Sequence, residues 1–415
     1  MAAAKGDKLG LYLSIPFCRS KCTYCNFASG VYPASEHGRY VDRLTEDLRQ
    51  AGAWAGGMGV GLPRAVDSVY LGGGTPSVLE PELIGRLFAT LRAEFGVEKD
   101  AEITVECAPG QLSDGTLEAL ALAGVNRVSL GVQSFIDREA QVSGRLHKRA
   151  MVLDDLRRLR VAGITNLNLD LIAGLAGQTL ASWDESLAVL IETGVPHASV
   201  YMLEVDEDSR LGREMLGGGA RYYAELVPTD EVIAQMYETA IAKLEKAGLK
   251  QYEISNFARR GFESKHNLRY WERRPYLGVG LDASSALYAQ EERARYLLRA
   301  KTTDELKEYL EGTGSIETGW LSEPQQQEEA WFLGLRLNRG VKIAALRKEF
   351  GAPALESALR ATGQLVESGL VQSDGRTVRL TARGRLLSNE VFQEFLTAAS
   401  EEEETRRGVL AAQDE

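Results

Sequence analysis

At 415 residues, with 44% hydrophobic and 26% charged residues, the chain has the composition of a globular protein large enough to bury a sizeable core. A formal net charge of −11 argues against a nucleic-acid surface, and no apolar run approaches the ~20 residues of a membrane span. Four cysteines are too few for a disulfide framework, and Met1–Lys8 lacks the apolar core of a signal peptide. A cytoplasmic location is expected, with no nucleic-acid partner and no sign of membrane association.

Strand-like runs alternate with helix-period segments through the first two thirds. The first run, Leu11–Ile15, leads into a C-x3-C-x2-C loop that holds Cys18, Cys22 and Cys25. Val41, Leu44 and Leu48 then share a helical face, and His37, amid polar residues near its start, reads as solvated. The second run, Val66–Leu71, is followed by Gly72-Gly73-Gly74-Thr75-Pro76. Such a turn lets backbone N–H groups approach a ligand, or is simply a tight strand-to-helix connection. Leu83, Leu87 and Leu91 form the next apolar helix face, and Glu102–Cys107, Arg127–Val132, Asn166–Ile172 and Ala198–Leu203 complete six candidate strands. Apolar strands separated by helices predict parallel βα units.

Glu106, Gln133 and Asp170 each place a polar side chain in or at the end of one of these strands. Burial there without a partner costs about 1–3 kcal/mol, so their recurrence predicts a site assembled from strand ends. The expected fold class is α/β, a partial (β/α)6 TIM-type barrel over residues 1–300. Cys107 follows Glu106, so alternation turns it to the other face as a buried small hydrophobe. His147 and His197 read as turn or cap residues. After His266-Asn267-Leu268-Arg269-Tyr270-Trp271, the stretch Tyr276–Gly280 closes the segment before a helical region. From about Thr302, helix-period segments (Glu328–Arg336, Lys342–Glu349, Ala354–Ser368) precede a two-strand pattern, Leu370–Gln372 and Val378–Leu380. These predict a mostly helical, winged-helix-like domain over 301–400, then an acidic tail, 401–415.

Three thiolates on one tight loop suit a 4Fe–4S cluster and leave one iron open. A structural zinc site would call for C-x2-C pairs and four ligands, and no partner pair exists. The spacing resembles the signature of the radical S-adenosylmethionine (SAM) superfamily, with Tyr24 at the aromatic position before the last cysteine. More specifically, the chain resembles the coproporphyrinogen oxidase-like branch, whose SAM-site pattern matches Tyr12, Gly73, Gly74, Thr75, Glu106, Gln133, Arg145 and Asp170. The resemblance implies a glycine turn for the methionine amino group and polar side chains holding the ribose and carboxylate. Arg145 is then the carboxylate clamp; on its own it would read as a solvated helix residue.

Within that branch, decarboxylating oxidases carry a further cysteine where this chain has Phe27 and a histidine where it has Ser14. The pattern C-x3-C-x2-C-x-F, with the motif from His266 to Trp271, instead resembles the HemW-type heme chaperones, although Ser284 stands where that family has a histidine. This implies a 4Fe–4S cluster, SAM and heme as cofactors, transfer of heme to an acceptor protein, and no catalytic residue. The alternative is a radical enzyme that oxidises or cleaves a tetrapyrrole, with an electron donor to cleave SAM. His266 is the expected heme-iron ligand, being flanked by Tyr270 and Trp271, with Arg269, Arg273 and Arg274 near enough to meet propionates. Ligation needs the neutral imidazole, so heme binding is expected to weaken below about pH 6.5.

Overall fold

In the computed structural model, residues 8–289 and 296–396 are described, and the acidic tail lies outside them. Strand β1 (Leu9–Ile15) is followed by α1 (Ser35–Gly57), β2 (Ala65–Gly73), α2 (Pro81–Glu94), β3 (Gly96–Cys107), α3 (Asp114–Leu122) and β4 (Arg127–Gln133). Next come α4 (Asp137–Val142), α5 (Arg149–Val161), β5 (Asn166–Ala173), α6 (Leu180–Glu192), β6 (His197–Met202), α7 (Arg210–Leu216) and α8 (Asp230–Lys246). The six strands read from the sequence are all present and pair in parallel in chain order.

These strands are not uniformly apolar. Leu9, Leu11, Leu13 and Ile15 are fully buried against the helices, as are Val128, Leu130 and Val132 of β4 and Leu167, Leu169 and Leu171 of β5. The alternate positions are polar or small: Gly10, Tyr12 and Ser14, then Ser68 and Tyr70, Thr104 and Glu106, Ser129, Asn168 and Asp170. Period two therefore sorts aliphatic side chains onto the helix-covered face and polar ones onto the other. On the outer side, Val41, Leu44 and Leu48 of α1 and Leu87 and Leu91 of α2 are buried, as their spacing predicts.

The sheet extends further than six strands. After β7 (Lys250–Gln251), β8 (Asn256–Ala258) and α9 (Lys265–Trp271), strand β9 (Tyr276–Val279) inserts in parallel beside β1. The region after Gly280, expected to be helical, instead forms antiparallel β10 (Ser284–Tyr288), β11 (Leu297–Thr302) and β12 (Ile316–Leu321), interrupted by α10 (Leu306–Glu311). Ser285, Leu287 and neighbouring aliphatics alternate there with period two, a strand signal hidden by the shortness of each run. The whole is an open twelve-stranded sheet, order β12-β11-β10-β9-β1-β2-β3-β4-β5-β6-β8-β7, with no pairing that closes it among the described residues.

The sheet thus runs past residue 300, the expected domain boundary, to Leu321. A second core then forms around Trp331, Leu335, Leu346, Leu355, Leu365 and Phe395. It is built from α11 (Glu323–Arg336), β13 (Val341–Lys342), α12 (Ile343–Phe350), α13 (Glu356–Glu367), β14 (Val371–Ser373), β15 (Thr377–Leu380) and α14 (Ala382–Leu386). The three strands pair antiparallel in the order β13-β15-β14. Charged contacts tie this module to the α9 region and to β11. Arg273 pairs with Glu349 at 2.7 Å, Arg299 with Glu329 at 2.7 Å, and the Arg336 guanidinium lies 4.2 Å from the Trp271 ring centre.

Candidate functional site

The cysteine loop leaves β1 at its C-terminal end and is pinned at both sides. Cys18 N–H donates to the Gly30 carbonyl (2.8 Å), Gly30 N–H to Pro16 (2.9 Å), and Lys21 Nζ to the carbonyls of Phe27 and Ser29. From the far side Thr23 N–H reaches Ser143, Ser20 Oγ reaches Gly144, and Leu211 N–H at the start of α7 reaches Thr23. Cys18, Cys22 and Cys25 are half-buried and carry free thiols. Burial raises the Cys18 thiol, the Thr75 hydroxyl 3.7 Å from its sulfur opposes that shift, and Cys22 and Cys25 both act on it. Three thiolates on one loop suit the irons of a 4Fe–4S cluster better than a structural zinc site, which calls for four ligands.

The turn after β2 lies directly on this loop. Gly74 N–H donates to the Ile15 carbonyl (2.9 Å) and Thr75 N–H to Phe17 (2.8 Å). A Cβ on Gly74 would stand 2.7 Å from the Ile15 oxygen, and one on Gly72 3.0 Å from the Glu106 carboxyl carbon; Gly73 has φ +93°. Gly73 and Gly74 therefore demand glycine, for backbone conformation and for contact, while a Cβ on Gly72 would make the Tyr70 and Glu106 side chains shift.

Glu106 faces the polar side of β3 and accepts from Tyr70 Oη (2.8 Å). Burial pushes its carboxyl up to about 7, with Tyr70 working the other way. Asp170 accepts from Ser129 Oγ (3.0 Å) and Asn168 Nδ2 (2.7 Å), and burial raises it too. Arg145 donates to Tyr24 Oη (2.9 Å), which joins the cysteine loop to the strand ends. Burial works against the charge of Arg145, while Tyr24 and Cys22 hold the guanidinium protonated. Arg145 and Gln133 both lie over Gly131, where a Cβ would come within 3.2 Å of each. Gln133 ends β4 at φ +67°, and its Oε1 and the Arg145 Nε are buried without partners. Non-glycine residues in that backbone region cluster at ligand sites, and orphaned polar atoms ask for a ligand or water. Tyr12 stacks on Tyr70 at 6.1 Å, and burial raises its phenol.

Tyr12, Tyr24, Gly73, Gly74, Thr75, Glu106, Gln133, Arg145 and Asp170 are thus joined by direct contacts or mutual electrostatics around the cysteine loop. The sequence reading missed Tyr70, Ser129 and Asn168, which hold the carboxylates. The signal was their place on the same alternation as Glu106 and Asp170. Cys107 is 4% exposed on the opposite face, its thiol pushed up to about 12 by burial.

His266 borders this group from α9. It sits in α9, 1% exposed, its ring 5.3 Å from Tyr70 and 6.4 Å from Tyr12. Nδ1 meets Ser68 Oγ (3.1 Å), Nε2 meets Tyr270 Oη (2.8 Å), and Glu102 caps the helix by accepting from His266 N–H. Burial lowers its pKa to about 3, so the ring stays neutral well below pH 6.5 in this state. The neighbouring arginines are engaged. Arg269 and Arg274 both pair with Asp67, and Arg273 pairs with Glu349. The other histidines are more enclosed than their sequence surroundings imply. His37 is not solvated but 7% exposed, packed on Phe17 and bonded to Glu80. His147 bonds to the Val132 carbonyl, and His197 links Asn168 to Tyr252 at the start of β6.

The profile of the Radical SAM superfamily matches residues 12–190, and that of the HemN C-terminal domain matches 321–387. The chain is 32% identical over 388 residues to the heme chaperone HemW of Lactococcus lactis, covering 93% of this chain and 96% of that protein. It is 33% identical over 391 residues to the Bacillus subtilis HemW, covering 93% and 98%. A mitochondrial radical S-adenosyl methionine domain-containing protein 1 of Bos taurus is 30% identical over 411 residues, covering 96% and 90%. Among solved structures, the coproporphyrinogen III oxidase HemN of Escherichia coli superposes with a TM-score of 0.79 at 24% identity, covering 95% of this chain and 92% of that one. That likeness concerns the fold. With identity above 30% along nearly the whole length of several HemW proteins, the chain belongs to the HemW family of the radical SAM superfamily.

Proposed function

We propose that this chain is a heme chaperone that carries a 4Fe–4S cluster on Cys18, Cys22 and Cys25, binds SAM at the strand ends, and passes heme to an acceptor protein. The observation that carries this reading is the fusion of cysteine loop and strand ends into one site, through Thr75 on Cys18 and Arg145 on Tyr24, in a HemW-family chain. Bound there, the cluster would supply an open iron for SAM and a source of low-potential electrons. The Gly72–Thr75 turn keeps the approach to the loop free of side chains, and Arg145 offers a planar fork for a carboxylate. Glu106, Gln133 and Asp170 supply acceptors for amino and hydroxyl groups.

Phe27, where the oxidases of this branch carry a further cysteine, is 63% exposed beside the loop. Its presence supports transfer of a tetrapyrrole rather than its oxidation. His266 remains our candidate for the heme-iron ligand. Because both of its nitrogens are engaged, ligation requires Tyr270 or Ser68 to yield and α9 to swing outward. The incomplete parallel sheet supports a partial barrel, with the domain boundary after β12. The module of helices α11 to α14 and three strands beyond it supports a winged-helix-like unit that covers α9. No helix among the described residues is long and apolar enough to cross a membrane; a cytoplasmic site of action suits an oxygen-sensitive cluster.

The test is titration of heme into the anaerobically reconstituted protein, followed by mixing with apomyoglobin as a generic acceptor. One heme per chain and its passage to the acceptor are expected, with coproporphyrinogen left unconsumed. Turnover of coproporphyrinogen without heme binding would refute the chaperone reading.

A further inference from the structure

Two arginines are wholly enclosed on the polar face of the sheet, and their surroundings differ. Arg269 occupies the space left by the missing side chain of Gly10 and meets Asp67, Ser68 Oγ and the carbonyls of Lys8 and Pro275. Arg127, which opens β4, is 1% exposed, and its Nε is buried without an acceptor. Among the described residues no side-chain hydrogen bond or ion pair engages its guanidinium. Its neighbours at the same level of the sheet are in a like condition: Thr104 Oγ1 on β3 and Asn166 Oδ1 on β5 are buried and unpartnered. The register sets Thr104 beside Arg127 and Arg127 beside Asn166.

An enclosed guanidinium nitrogen left without an acceptor costs about 1–3 kcal/mol or more. The charge of Arg127 acts on Tyr70, Glu106, Asp170, His197, Tyr252 and His266, which places it centrally on this face. Yet every nearby carboxylate is committed to other donors. Glu106 takes Tyr70, Asp170 takes Ser129 and Asn168, and Glu102 takes the first turn of α9. The two histidines are held neutral by burial and bonded through both nitrogens. Glu106 and Asp170 therefore face Arg127 only through space, and among the described residues none gives its Nε a hydrogen-bond acceptor.

The geometry points to a buried anion site in which Arg127, Thr104 and Asn166 bind a small monovalent anion, a halide or the carboxylate of a small organic acid. The guanidinium supplies charge and a fork of donors, and the Thr104 hydroxyl supplies another. The Asn166 amide supplies a third once turned to present its N–H, a rotation that leaves its shape unchanged. The site lies on the same face as the SAM constellation, one step deeper: Thr104 precedes Glu106 by two residues, and Arg127 precedes Ser129, the partner of Asp170, by two.

The test uses the full, anaerobically reconstituted chain crystallised in bromide, with the ion located by anomalous scattering. A bromide within hydrogen-bond distance of the Arg127 guanidinium is expected. In solution the thermal midpoint should rise when chloride or acetate replaces isethionate at equal ionic strength, as binding to the folded state requires. Arg127→Gln should weaken that response about tenfold or more, the effect of losing charge-assisted donors. Arg127→Lys, which keeps the charge if the glutamine variant does not fold, should retain a weaker response. A response to acetate alone would assign an organic carboxylate, and one to halides alone an inorganic ion. Indifference of the wild type to every anion, with no anomalous peak at Arg127, overturns the proposal.

Discussion

Glu106 and Cys107 are chain neighbours with opposite fates, decided by which face of β3 each meets. Cys107 packs as a small hydrophobe, so Cys107→Ala should keep about four irons per chain after reconstitution, the cubane count. Cys22→Ala should lose the cluster's visible absorption; equal retention in both variants would contradict the ligand assignment. Glu106 titrates near 7 because burial disfavours its charge. Its folded value lies above the unfolded one of about 4.3, so the stability it contributes is full below pH 4.3 and is lost as pH rises through 7. Cationic SAM asks for the charged carboxylate, so SAM affinity should increase as pH rises from 6 to 8. Calorimetry on Glu106→Gln should show that pH dependence flattened; an unchanged profile would remove Glu106 from the site. His266 titrates in the opposite sense. With a folded value of about 3 against about 6.5 unfolded, it withdraws stability as pH falls below 6.5. Heme binding to the state described here should therefore not track ring protonation between pH 7 and 5. His266→Ala leaves Tyr270 and Ser68 without their buried partner, costing about 1–3 kcal/mol. Heme titration by visible absorption must be read beside the melting point, and an unchanged Soret band and affinity would move the iron ligand elsewhere.

At the level of elements, the site depends on two connections being held against each other. The loop after β1 and the turn after β2 share backbone hydrogen bonds at Ile15–Gly74 and Phe17–Thr75. Gly74→Ala would drive a methyl into the Ile15 and Phe17 carbonyls and should cost about 1–3 kcal/mol, with iron incorporation falling as the two segments part. Iron content after reconstitution checks this directly. Full occupancy in a folded Gly74→Ala protein would show that the turn does not position the cysteines.

Over the whole molecule, the C-terminal module is fastened to the α9 region by side chains that meet across the boundary. Arg273 and Glu349 are each about 15% exposed, in the range where an ion pair is partly desolvated. Arg336 lies over Trp271, a cation–π contact worth about 0.5–2 kcal/mol. Glu349→Gln combined with Arg336→Ala should loosen the module and speed proteolytic cleavage between residues 321 and 345. If heme enters by way of α9, the same variant should take up heme faster. Unaltered cleavage would mean that the two cores, not these contacts, hold the parts together.

The sequence alone determined what is local or periodic. Cysteine spacing sets the donor set of the loop, and the six parallel strands follow from apolar runs long enough to show their boundaries. Cys107 could be told from its neighbour because strand alternation is fixed by backbone geometry. Tertiary structure decided what depends on distant partners. Short strands β9 to β12 were hidden because four to six residues carry too little period to separate from helix. His37 reads as solvated beside its polar neighbours, but Phe17 and Glu80, 20 and 43 residues away, bury it. His266 reads as an available ligand, and only the packing of α9 against Ser68, Tyr70 and Glu102 showed both its nitrogens engaged. Arg127 is, in the sequence, only the first residue of the Arg127–Val132 run. That its buried Nε finds no acceptor is a property of everything around it, since a donor is paired or unpaired only in three dimensions.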